Sequence, residues 1–194
     1  MYDQLIQNVQ RKITLTTDEI TVVTDLFTFR KLRRRQYLLE AGETCQFMAF
    51  VSKGLLRSFS TDERGGEHVL QLAPEDFWIG DLFSFLTHQP SQYAIQALEE
   101  SEVALISPEN LETLYAQVPA FERFFRLLIQ NGYIAAQQRL MCTLSEQAPE
   151  RYREMVRRHP TLEQRVAQHQ IASYLGITPE SLSRLKKALY KDPP

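Results

Sequence analysis

The chain has 194 residues and a formal net charge of -2, and 43% of its residues are hydrophobic. That length suits one large domain or a medium and a small one. The sequence has no apolar run of 18 residues and no signal-peptide pattern, so we expect a cytoplasmic protein without a membrane segment. Cys45 and Cys142 lack a metal-ligand spacing, and we expect two buried thiols in preference to a disulfide.

The charge is divided unevenly along the chain. Residues 139–194 carry ten Lys and Arg against six Asp and Glu, whereas residues 1–138 carry twelve against eighteen. Neutralised phosphates supply most of the sequence-independent affinity for nucleic acid. The basic C-terminal part therefore favours a nucleic-acid surface at that end of the molecule.

The N-terminal segment predicts two helices, at residues 3–12 and about 17–29. Thr16 or Thr17, followed by Asp18 and Glu19, gives the second helix a capped start. A basic run follows, which we interpret as a solvated turn into the first strand or as a phosphate-binding segment. It consists of Arg30, Lys31, Arg33, Arg34 and Arg35.

From Gln36 to about Ser107 the periodicity becomes that of short strands separated by turn residues. Strands this short and this regularly spaced are typical of a small antiparallel barrel or jelly roll. One insertion, Gly80 to Leu86, is apolar at helical spacing and predicts a short helix within the roll. The predicted strands are 37–39, 47–51, 55–59, 68–72, 77–79, 93–97 and 103–106.

A helical region opens at Pro108, bends at Val118-Pro119 and continues as one long helix over about 119–145. This helix has more large apolar residues than one small roll can cover. We expect the spare stripe to pair with a second copy of the chain, or to pack against the C-terminal domain.

The segment 168–187 predicts two short amphipathic helices that meet at a tight glycine turn. Gly176 supplies the positive φ of the turn, Thr178 is an N-cap, and Pro179 suits the first helical position. The pattern is that of a helix-turn-helix, and the alternative is an ordinary helical hairpin with a solvated face. We place a domain boundary after residue 145. Residues 1–145 then form a sensor domain that includes the long helix, and residues 146–194 form the domain that contains this motif.

Several segments occur in a recognisable order: AGE at 41–43, FVSKGLLR at 50–57, IGD at 79–81, and IASYLG at 171–176 with ESLSR at 180–184. The chain resembles the bacterial CRP/FNR superfamily of transcription regulators over almost its whole length. The resemblance implies an α+β fold: an N-terminal antiparallel, jelly-roll-like β-roll of the cyclic-nucleotide-binding type with flanking helices, a long dimerisation helix and a C-terminal helix-turn-helix domain. Since ten residues follow Arg184, we expect the wing of that domain to be reduced or absent.

The resemblance also implies roles in contacts with double-stranded DNA. It assigns base contacts to Glu180 and Arg184, with Ser181 between them, because Arg donates two hydrogen bonds to guanine and Glu accepts one from cytosine N4. Pro179 stands where many relatives have another Arg, so we expect a different target sequence. The expected phosphate contacts are Gln168, Ser183 and Lys187.

For the sensor, the resemblance implies four ligand-pocket candidates. In the cyclic-AMP binders a Gly-Glu pair holds the ribose and an Arg-Ser pair holds the cyclic phosphate. The corresponding pairs here are Gly80-Asp81 and Gln92-Tyr93. Because neutral Gln cannot replace a charge-assisted contact to phosphate, we do not expect cyclic-AMP binding. Trp78, Phe83, Phe85 and Tyr93 line either a pocket for an unknown molecule or filled core.

We expect no metal and no cofactor. The long helix has Ala136-Gln137 where the cyclic-AMP binders place a Thr-Ser pair against the base. No cysteine precedes Cys45, as the iron–sulfur relatives require, and His68 and His88 lack a confirming motif for haem.

We therefore interpret the chain as a homodimeric DNA-binding transcription regulator with an unidentified effector or none. The alternative is a small-molecule sensor whose C-terminal helices bind protein and not DNA. An enzyme is not expected, because no nucleophile and base, phosphate-cradling glycine loop or metal cluster is found at a recognisable spacing.

Overall fold

A computed structural model of the chain describes residues 2–145 and 147–191. The helices are α1 (Asp3–Gln10), α2 (Thr17–Leu26), α3 (Leu82–Thr87), α4 (Pro108–Gln117), α5 (Ala120–Ser145), α6 (Ala148–Arg158), α7 (Leu162–Arg165), α8 (Gln168–Leu175) and α9 (Pro179–Lys191). The strands are β1 (Thr28–Leu32), β2 (Tyr37–Leu39), β3 (Met48–Lys53), β4 (Leu56–Thr61), β5 (Glu67–Ala73), β6 (Trp78–Ile79), β7 (Ala94–Ala97) and β8 (Ser101–Ile106).

The strands form two four-stranded sheets, in the orders β1-β8-β3-β6 and β2-β7-β4-β5. All the strand pairs are antiparallel, and side chains such as Leu56, Ala73 and Ile95 fill the space between the sheets. The predicted α+β fold with an antiparallel roll, an internal helix and a long following helix is confirmed.

The predictions for the N-terminal segment need two corrections. The capping box of α2 is present, with Thr16 accepting from the N–H of Glu19 at 3.3 Å. However, α2 ends at Leu26, and Arg30 and Lys31 belong to strand β1 and not to a turn. The strand escaped prediction because it is an edge strand whose exposed face tolerates cations.

The expectation of two buried thiols is correct for Cys45 and wrong for Cys142. Cys45 lies in the core of the roll, whereas Cys142 is partly exposed on the C-terminal half of α5. The predicted boundary between residues 1–145 and 146–194 stays a prediction, and Glu146 lies outside the described residues. Residues 192–194 also lie outside the described residues, so the expectation of a reduced or absent wing stays a prediction.

The long helix α5 changes character along its length. Phe121, Phe124 and Phe125 are buried against the roll, whereas the C-terminal part exposes large apolar side chains. A helix of 26 residues is about 39 Å long, and its buried side chains lie within its first two turns. The exposed side chains, which we call the α5 stripe, are Tyr133, Ile134, Leu140, Met141 and Leu144, 50 to 76% exposed.

The C-terminal helices pack on the outer face of the sheet that contains β4 and β5. Phe59 and Val69 of these strands join Leu162, Ile171 and Leu182 in one buried cluster. Leu56 and Ala73, elsewhere on the same two strands, belong instead to the core inside the roll. The sheet therefore has a hydrophobic core on each side, and the outer core belongs to the C-terminal helices.

The edge of β5 is closed by two polar side chains. The hydroxyl of Ser173 on α8 accepts from the N–H of Val69 at 2.9 Å and donates to the carbonyl of Glu67 at 2.8 Å. Arg139 of α5 donates to the carbonyls of Val69 and Leu70 and, at 3.0 Å, to the carbonyl of Tyr174 on α8. Three parts of the fold therefore meet at this edge: the roll, the long helix and the C-terminal helices.

Arg165, the last residue of α7, makes a charged contact with the roll. Its guanidinium donates to both carboxylate oxygens of Glu75, at 2.9 and 2.8 Å, and to Glu99 at 2.6 Å. Burial opposes ionisation of Glu75, but Arg165 and the N–H of Gly54 outweigh it and hold the pKa of Glu75 below its usual value. This arrangement, which we call the Glu75–Arg165–Glu99 triad, fixes α7 against two loops of the roll.

We predict that Arg165→Met will loosen the C-terminal helices from the roll. The substitution removes the donor that two partly buried carboxylates share and leaves Glu75 with the N–H of Gly54 as its partner, which costs about 1 to 3 kcal/mol. Hydrogen exchange of the amides in α7 and α8 should become faster, whereas amides at the centre of the roll keep their protection.

The matched control is Arg153→Met on α6, which removes an exposed contact with Glu150. Such a surface change is expected to alter stability by less than about 0.5 kcal/mol. Unchanged protection of α7 and α8 in Arg165→Met would show that the triad does not hold these helices.

Candidate nucleic-acid interface and ligand pocket

The turn between α8 and α9 is built by three residues within a four-residue segment. Gly176 has φ 69°, in the left-handed region, and its N–H donates to the carbonyl of Ser173 at 3.0 Å. The hydroxyl of Thr178 then accepts from the N–H of Ser181 at 3.2 Å and caps α9, whose first residue is Pro179. These are the positions that local sequence chemistry predicted for a helix-turn-helix.

The predicted base contacts lie together on the first turns of α9. Glu180 and Arg184 are exposed, Ser181 is half-buried, and the guanidinium of Arg184 lies 3.4 Å from the hydroxyl of Ser181. The backbone N–H of Glu180 and the hydroxyl of Thr178 lower the pKa of the Glu180 carboxyl. Glu180 is therefore an ionised acceptor at neutral pH, beside a guanidinium donor.

The predicted phosphate contacts flank this group. Gln168 begins α8 and Lys187 lies on α9, and both are exposed, whereas Ser183 is half-buried. Lys186 has a different environment, because its ammonium pairs with Glu163, which also accepts from the hydroxyl of Tyr152 at 2.6 Å. The fold thus uses Lys186 internally and leaves Lys187 facing solvent.

The pocket candidates are brought together with one exception. Asp81 is 3% exposed; its carboxylate accepts from the N–H of Ser84 at 3.1 Å and from the hydroxyl of Ser91 at 2.6 Å. Tyr93 donates to the carbonyl of Gly80 at 3.2 Å, whereas Gln92 lies exposed at the surface. The Asp81 carboxylate therefore serves as the N-cap of α3 and as the acceptor for Ser91.

The polar group around Asp81 has members that sequence analysis missed. The hydroxyl of Ser84 accepts from the N–H of Cys45 at 2.8 Å and donates to the carbonyl of Gln89. Burial raises the pKa of the Cys45 thiol and of the Tyr93 hydroxyl, so both stay protonated at neutral pH. Ser91 could have been found from the sequence, because it directly precedes Gln92, which the family pattern had already marked as part of the ligand loop.

A side chain added at Gly80 would meet another residue of the roll. An ideal Cβ built there lies 2.6 Å from the Sδ atom of Met48. Trp78 is core and not pocket lining, since its indole N–H donates to Asn8 at 3.1 Å and its ring contacts Phe50 and Phe124. The polar groups of Asp81 and Tyr93, predicted to face a ligand, thus bond to other parts of the chain.

Two other predicted lining residues lie apart. Phe85 is buried in the core with Trp78, whereas Phe83 is 59% exposed on α3. Of the histidines, His68 is exposed with its Nε2 atom 2.9 Å from Asp62, and His88 ends α3 with φ 57°. Among the described residues, no group of three His, Cys, Asp or Glu side chains is placed to hold a metal ion.

Arg57 is a buried cation of the roll, with a side chain 5% exposed. Its guanidinium lies 2.5 Å from Glu67 and 2.9 Å from Gln96, and stacks over the ring of Phe59 at 3.8 Å. Because side chains alternate along a strand, Arg57 faces away from the interior that Leu56 faces. It therefore does not replace the phosphate-binding Arg of cyclic-AMP binders.

A groove of about 870 Å³ runs between α5 and α6. The α5 side presents residues of the α5 stripe, and the α6 side presents Glu150, Glu154 and Arg158. Hydrogen bonds from Arg157 and, to a lesser extent, from Arg158 lower the pKa of Glu154 to about 2. The groove thus has one apolar and one charged wall.

Within residues 2–145 and 147–191, none of the helices has the length and apolar character to cross a membrane.

Comparison with known proteins gives the same outline as the fold. Residues 29–118 match the model of the cyclic nucleotide-binding domain. The fumarate and nitrate reduction regulatory protein of Escherichia coli K12 is 29% identical over 195 aligned positions, covering 89% of this chain and 73% of that protein. Its counterpart in Vibrio cholerae is 25% identical over 186 positions, with the same coverage of both proteins.

Solved structures extend the likeness to the whole fold. The c-di-GMP responsive global regulator CLP of Xanthomonas campestris has a TM-score of 0.71 at 16% identity, covering 91% of this chain and 93% of that one. The catabolite activator protein of Thermus thermophilus has a TM-score of 0.58 at 22% identity, covering 91% and 84%. With a roll of the cyclic nucleotide-binding type, a long helix and a helix-turn-helix, this chain is similar in sequence to the fumarate and nitrate reduction regulatory proteins and has the fold of the CRP/FNR regulators.

Proposed function

We propose that this chain regulates transcription by binding double-stranded DNA as a homodimer, with α9 in the major groove. The observation that carries the proposal is the pair of exposed side chains Glu180 and Arg184 at the start of α9, with half-buried Ser181 between them. Donors and acceptors at the start of a recognition helix are placed to contact base edges. The relatives named as regulatory proteins support the same function.

A homodimer is supported by the α5 stripe. Tyr133, Leu140 and Leu144 recur at heptad-like spacing, and Gln137 lies among them with its amide donating to the hydroxyl of Tyr133 at 2.9 Å. Pairing two such stripes would bury them and give the molecule two recognition helices. Paired helix-turn-helix units contact half-sites about 34 Å apart on DNA. Because this function requires access to chromosomal DNA, we propose a cytoplasmic location.

No effector is proposed by name, and cyclic AMP is not expected to be one. Asp81 is engaged by Ser84 and Ser91, Gln92 is at the surface, and Arg57 faces the outer side of the sheet. A cyclic phosphate bound in the roll would therefore lack a guanidinium partner. The family model matches the scaffold of this domain, and the ligand contacts depend on individual residues.

A second candidate is a sensor whose C-terminal helices bind a protein and not DNA. The observation that favours it is Pro179, which occupies an exposed position where many relatives have an additional Arg. A gel-shift titration against DNA from upstream of the chain's own locus separates the two functions. Salt-insensitive, sequence-independent or absent binding would favour the second.

We predict different losses on DNA for two substitutions in α9. Arg184→Ala should lower the discrimination between target and scrambled duplex by about 1 to 3 kcal/mol, because it removes a bidentate contact to a base. Lys187→Ala should weaken binding to both duplexes alike and reduce the slope of log K against log salt by about 1.

Fluorescence anisotropy at several salt concentrations measures both effects. Arg64→Ala, at the exposed tip between β4 and β5, is the control that removes a cation outside the helix-turn-helix. Equal losses of discrimination in Arg184→Ala and Lys187→Ala would contradict the assigned roles.

We predict that Leu140→Asp combined with Leu144→Asp will convert the dimer to a monomer. Both side chains are exposed, at 60 and 76%, so the substitutions should leave the folded protomer intact. Placing carboxylates in a paired apolar stripe, by contrast, opposes association. Size-exclusion chromatography with light scattering gives the mass directly.

Ala135→Asp is the matched control for this experiment. Ala135 is exposed on the side of α5 that faces away from the stripe, given 100° per residue. A double variant that stays dimeric would exclude the α5 stripe as the interface.

We predict that cyclic AMP at about 1 mM raises the unfolding temperature by less than about 2 °C. If the dissociation constant exceeds the ligand concentration, stabilisation stays below about 0.4 kcal/mol. A thermal-shift titration, with a cyclic-AMP-binding relative as positive control, makes the measurement. A saturable rise at micromolar ligand would overturn the argument from Gln92 and Asp81.

A further inference from the structure

We propose that Asn8 of α1 is a positioning residue for the helix-turn-helix, which it reaches through the turn between β5 and β6. This inference rests on the proposed function and adds to it a residue at the opposite end of the chain. The last three residues of that turn are Glu75, Asp76 and Phe77, and we call them the junction turn.

The junction turn connects α1 to α7. Asp76 accepts from the side-chain amide of Asn8 at 3.0 Å, and the preceding residue, Glu75, accepts twice from the guanidinium of Arg165. The Cα atoms of adjacent residues lie about 3.8 Å apart and are joined by a planar peptide. A displacement of Asp76 is therefore passed to Glu75, and from there to the last residue of α7.

The backbone at Asp76 has φ 71°, in the left-handed region that is uncommon for residues other than glycine. The N–H of Asp76 donates to the carbonyl of Val51 at 2.9 Å, and the N–H of Val51 donates to the carbonyl of Phe77 at 2.8 Å. Such a conformation persists only when the surrounding contacts determine it. The contacts between the Asp76 side chain and α1 add to these backbone bonds in holding the junction turn.

The side-chain amide of Asn8 has a defined orientation. It is 9% exposed, and its oxygen accepts from the indole N–H of Trp78 at 3.1 Å. Because an indole can only donate, the oxygen of Asn8 faces Trp78 and the NH₂ group faces the junction turn. That NH₂ group donates to both the carboxylate and the carbonyl of Asp76. Asn8 therefore contacts the fixed core on one side and the junction turn on the other.

Helix α1 is a firm support for this contact. Leu5 and Val9 are fully buried in the core that the roll shares with its flanking helices, and the hydroxyl of Tyr2 donates to the carbonyl of Phe27 at 2.8 Å. Arg11, one turn after Asn8, pairs with the second carboxylate oxygen of Asp76. The helix thus holds Asp76 at both carboxylate oxygens.

The junction turn has a second contact with the C-terminal helices, at the end of α6. The ring of Phe77 packs edge-on against that of His159, with 5.2 Å between the ring centres. Burial, and to a lesser extent Arg158, lowers the pKa of His159, so its ring is neutral at pH 7 and suits an apolar contact. The segment between α6 and α7, which leads into the helix-turn-helix, is therefore held on both of its sides by the junction turn.

The test uses a substitution that keeps the bond to Trp78 and removes the bonds to the junction turn. Asn8→Asp retains an oxygen for the indole N–H but places a carboxylate against that of Asp76. Combining it with Asp76→Asn restores one donor and one acceptor across the contact, and asparagine is compatible with the left-handed backbone. The matched control is Asn110→Asp in α4, where the amide donates to the carbonyl of Leu26 at 2.8 Å.

Two measurements on the full chain follow the effect. Asn8→Asp should speed hydrogen exchange in α7 and α8 by about fivefold or more, as expected for the loss of one hydrogen bond. It should weaken binding to the target duplex by about fivefold and leave the salt slope unchanged, because no phosphate contact is lost. The double variant should recover both values to within about twofold of wild type. Asn110→Asp should leave both within about twofold of wild type.

A double-mutant cycle distinguishes positioning from a general loss of stability. Arg165→Met already separates α7 from the junction turn, so Asn8→Asp should add less than about twofold to the exchange rates of α7 and α8 in that background. Residues that act through one route are not additive, whereas independent sites are. Circular dichroism and the unfolding midpoint establish that each variant is folded.

Several results would overturn the inference. Faster exchange in the roll with unchanged rates in α7 and α8 would limit Asn8 to supporting the roll. A full fivefold effect in the Arg165→Met background, or a double variant that recovers neither value, would exclude the route through the junction turn. Tighter binding of DNA by Asn8→Asp would make the contact a restraint on α9. Absence of DNA binding by the wild type would instead overturn the proposed function, while the exchange rates, measured without DNA, still test the route from α1 to α7.

Discussion

An edge strand needs partners for its outward N–H and C=O groups, and in this protein the helix-turn-helix and the long helix α5 supply partners for β5. Ser173 bonds to the strand on both its donor and its acceptor side, and Arg139 covers two further carbonyls. Unpaired backbone groups beneath a packed helix would each cost about 1 to 3 kcal/mol. The outer hydrophobic cluster and the Glu75–Arg165–Glu99 triad add to a contact that the backbone of β5 already requires. The position of α8 on the roll follows from closing this edge.

The parts of the structure that could be predicted from the sequence are those with local causes. The strand at 37–39 and the sequence Gly176, Thr178 and Pro179 are specified by neighbours within a few residues. β1 escaped because its charges conceal the alternation of an edge strand. The triad could not be predicted, since Arg165 is 90 residues from Glu75 and 66 from Glu99 and no local pattern links them. For the pocket, the family pattern located the loop, but the mutual bonding of Asp81 and Ser91 depends on the folded geometry.

The sensor roll illustrates how a scaffold can be kept while its ligand contacts change. Gly80, Asp81 and Tyr93 remain close together, yet their polar groups bond to one another and to the helix they start. Buried polar groups must be satisfied, and internal partners do this without a ligand. The buried guanidinium of this sheet, on Arg57, lies on the face toward the outer cluster. In this roll, therefore, the buried polar side chains of Asp81, Tyr93 and Arg57 bond to other residues of the domain and help to hold its structure.

Arg139 connects the movement of the long helix α5 to that of α8. It is anchored in the long helix α5, yet its guanidinium is shared between the carbonyls of β5 and of Tyr174, and it stacks on the Tyr174 ring at 4.2 Å. Any rotation of α5 about its own axis displaces that guanidinium and so strains its bonds to α8. Coupling of this kind acts in both directions, because the free energy that links two sites is shared equally between them. A displacement of α8 strains the same bonds, so Arg139 links the long helix α5 mechanically to the helix-turn-helix.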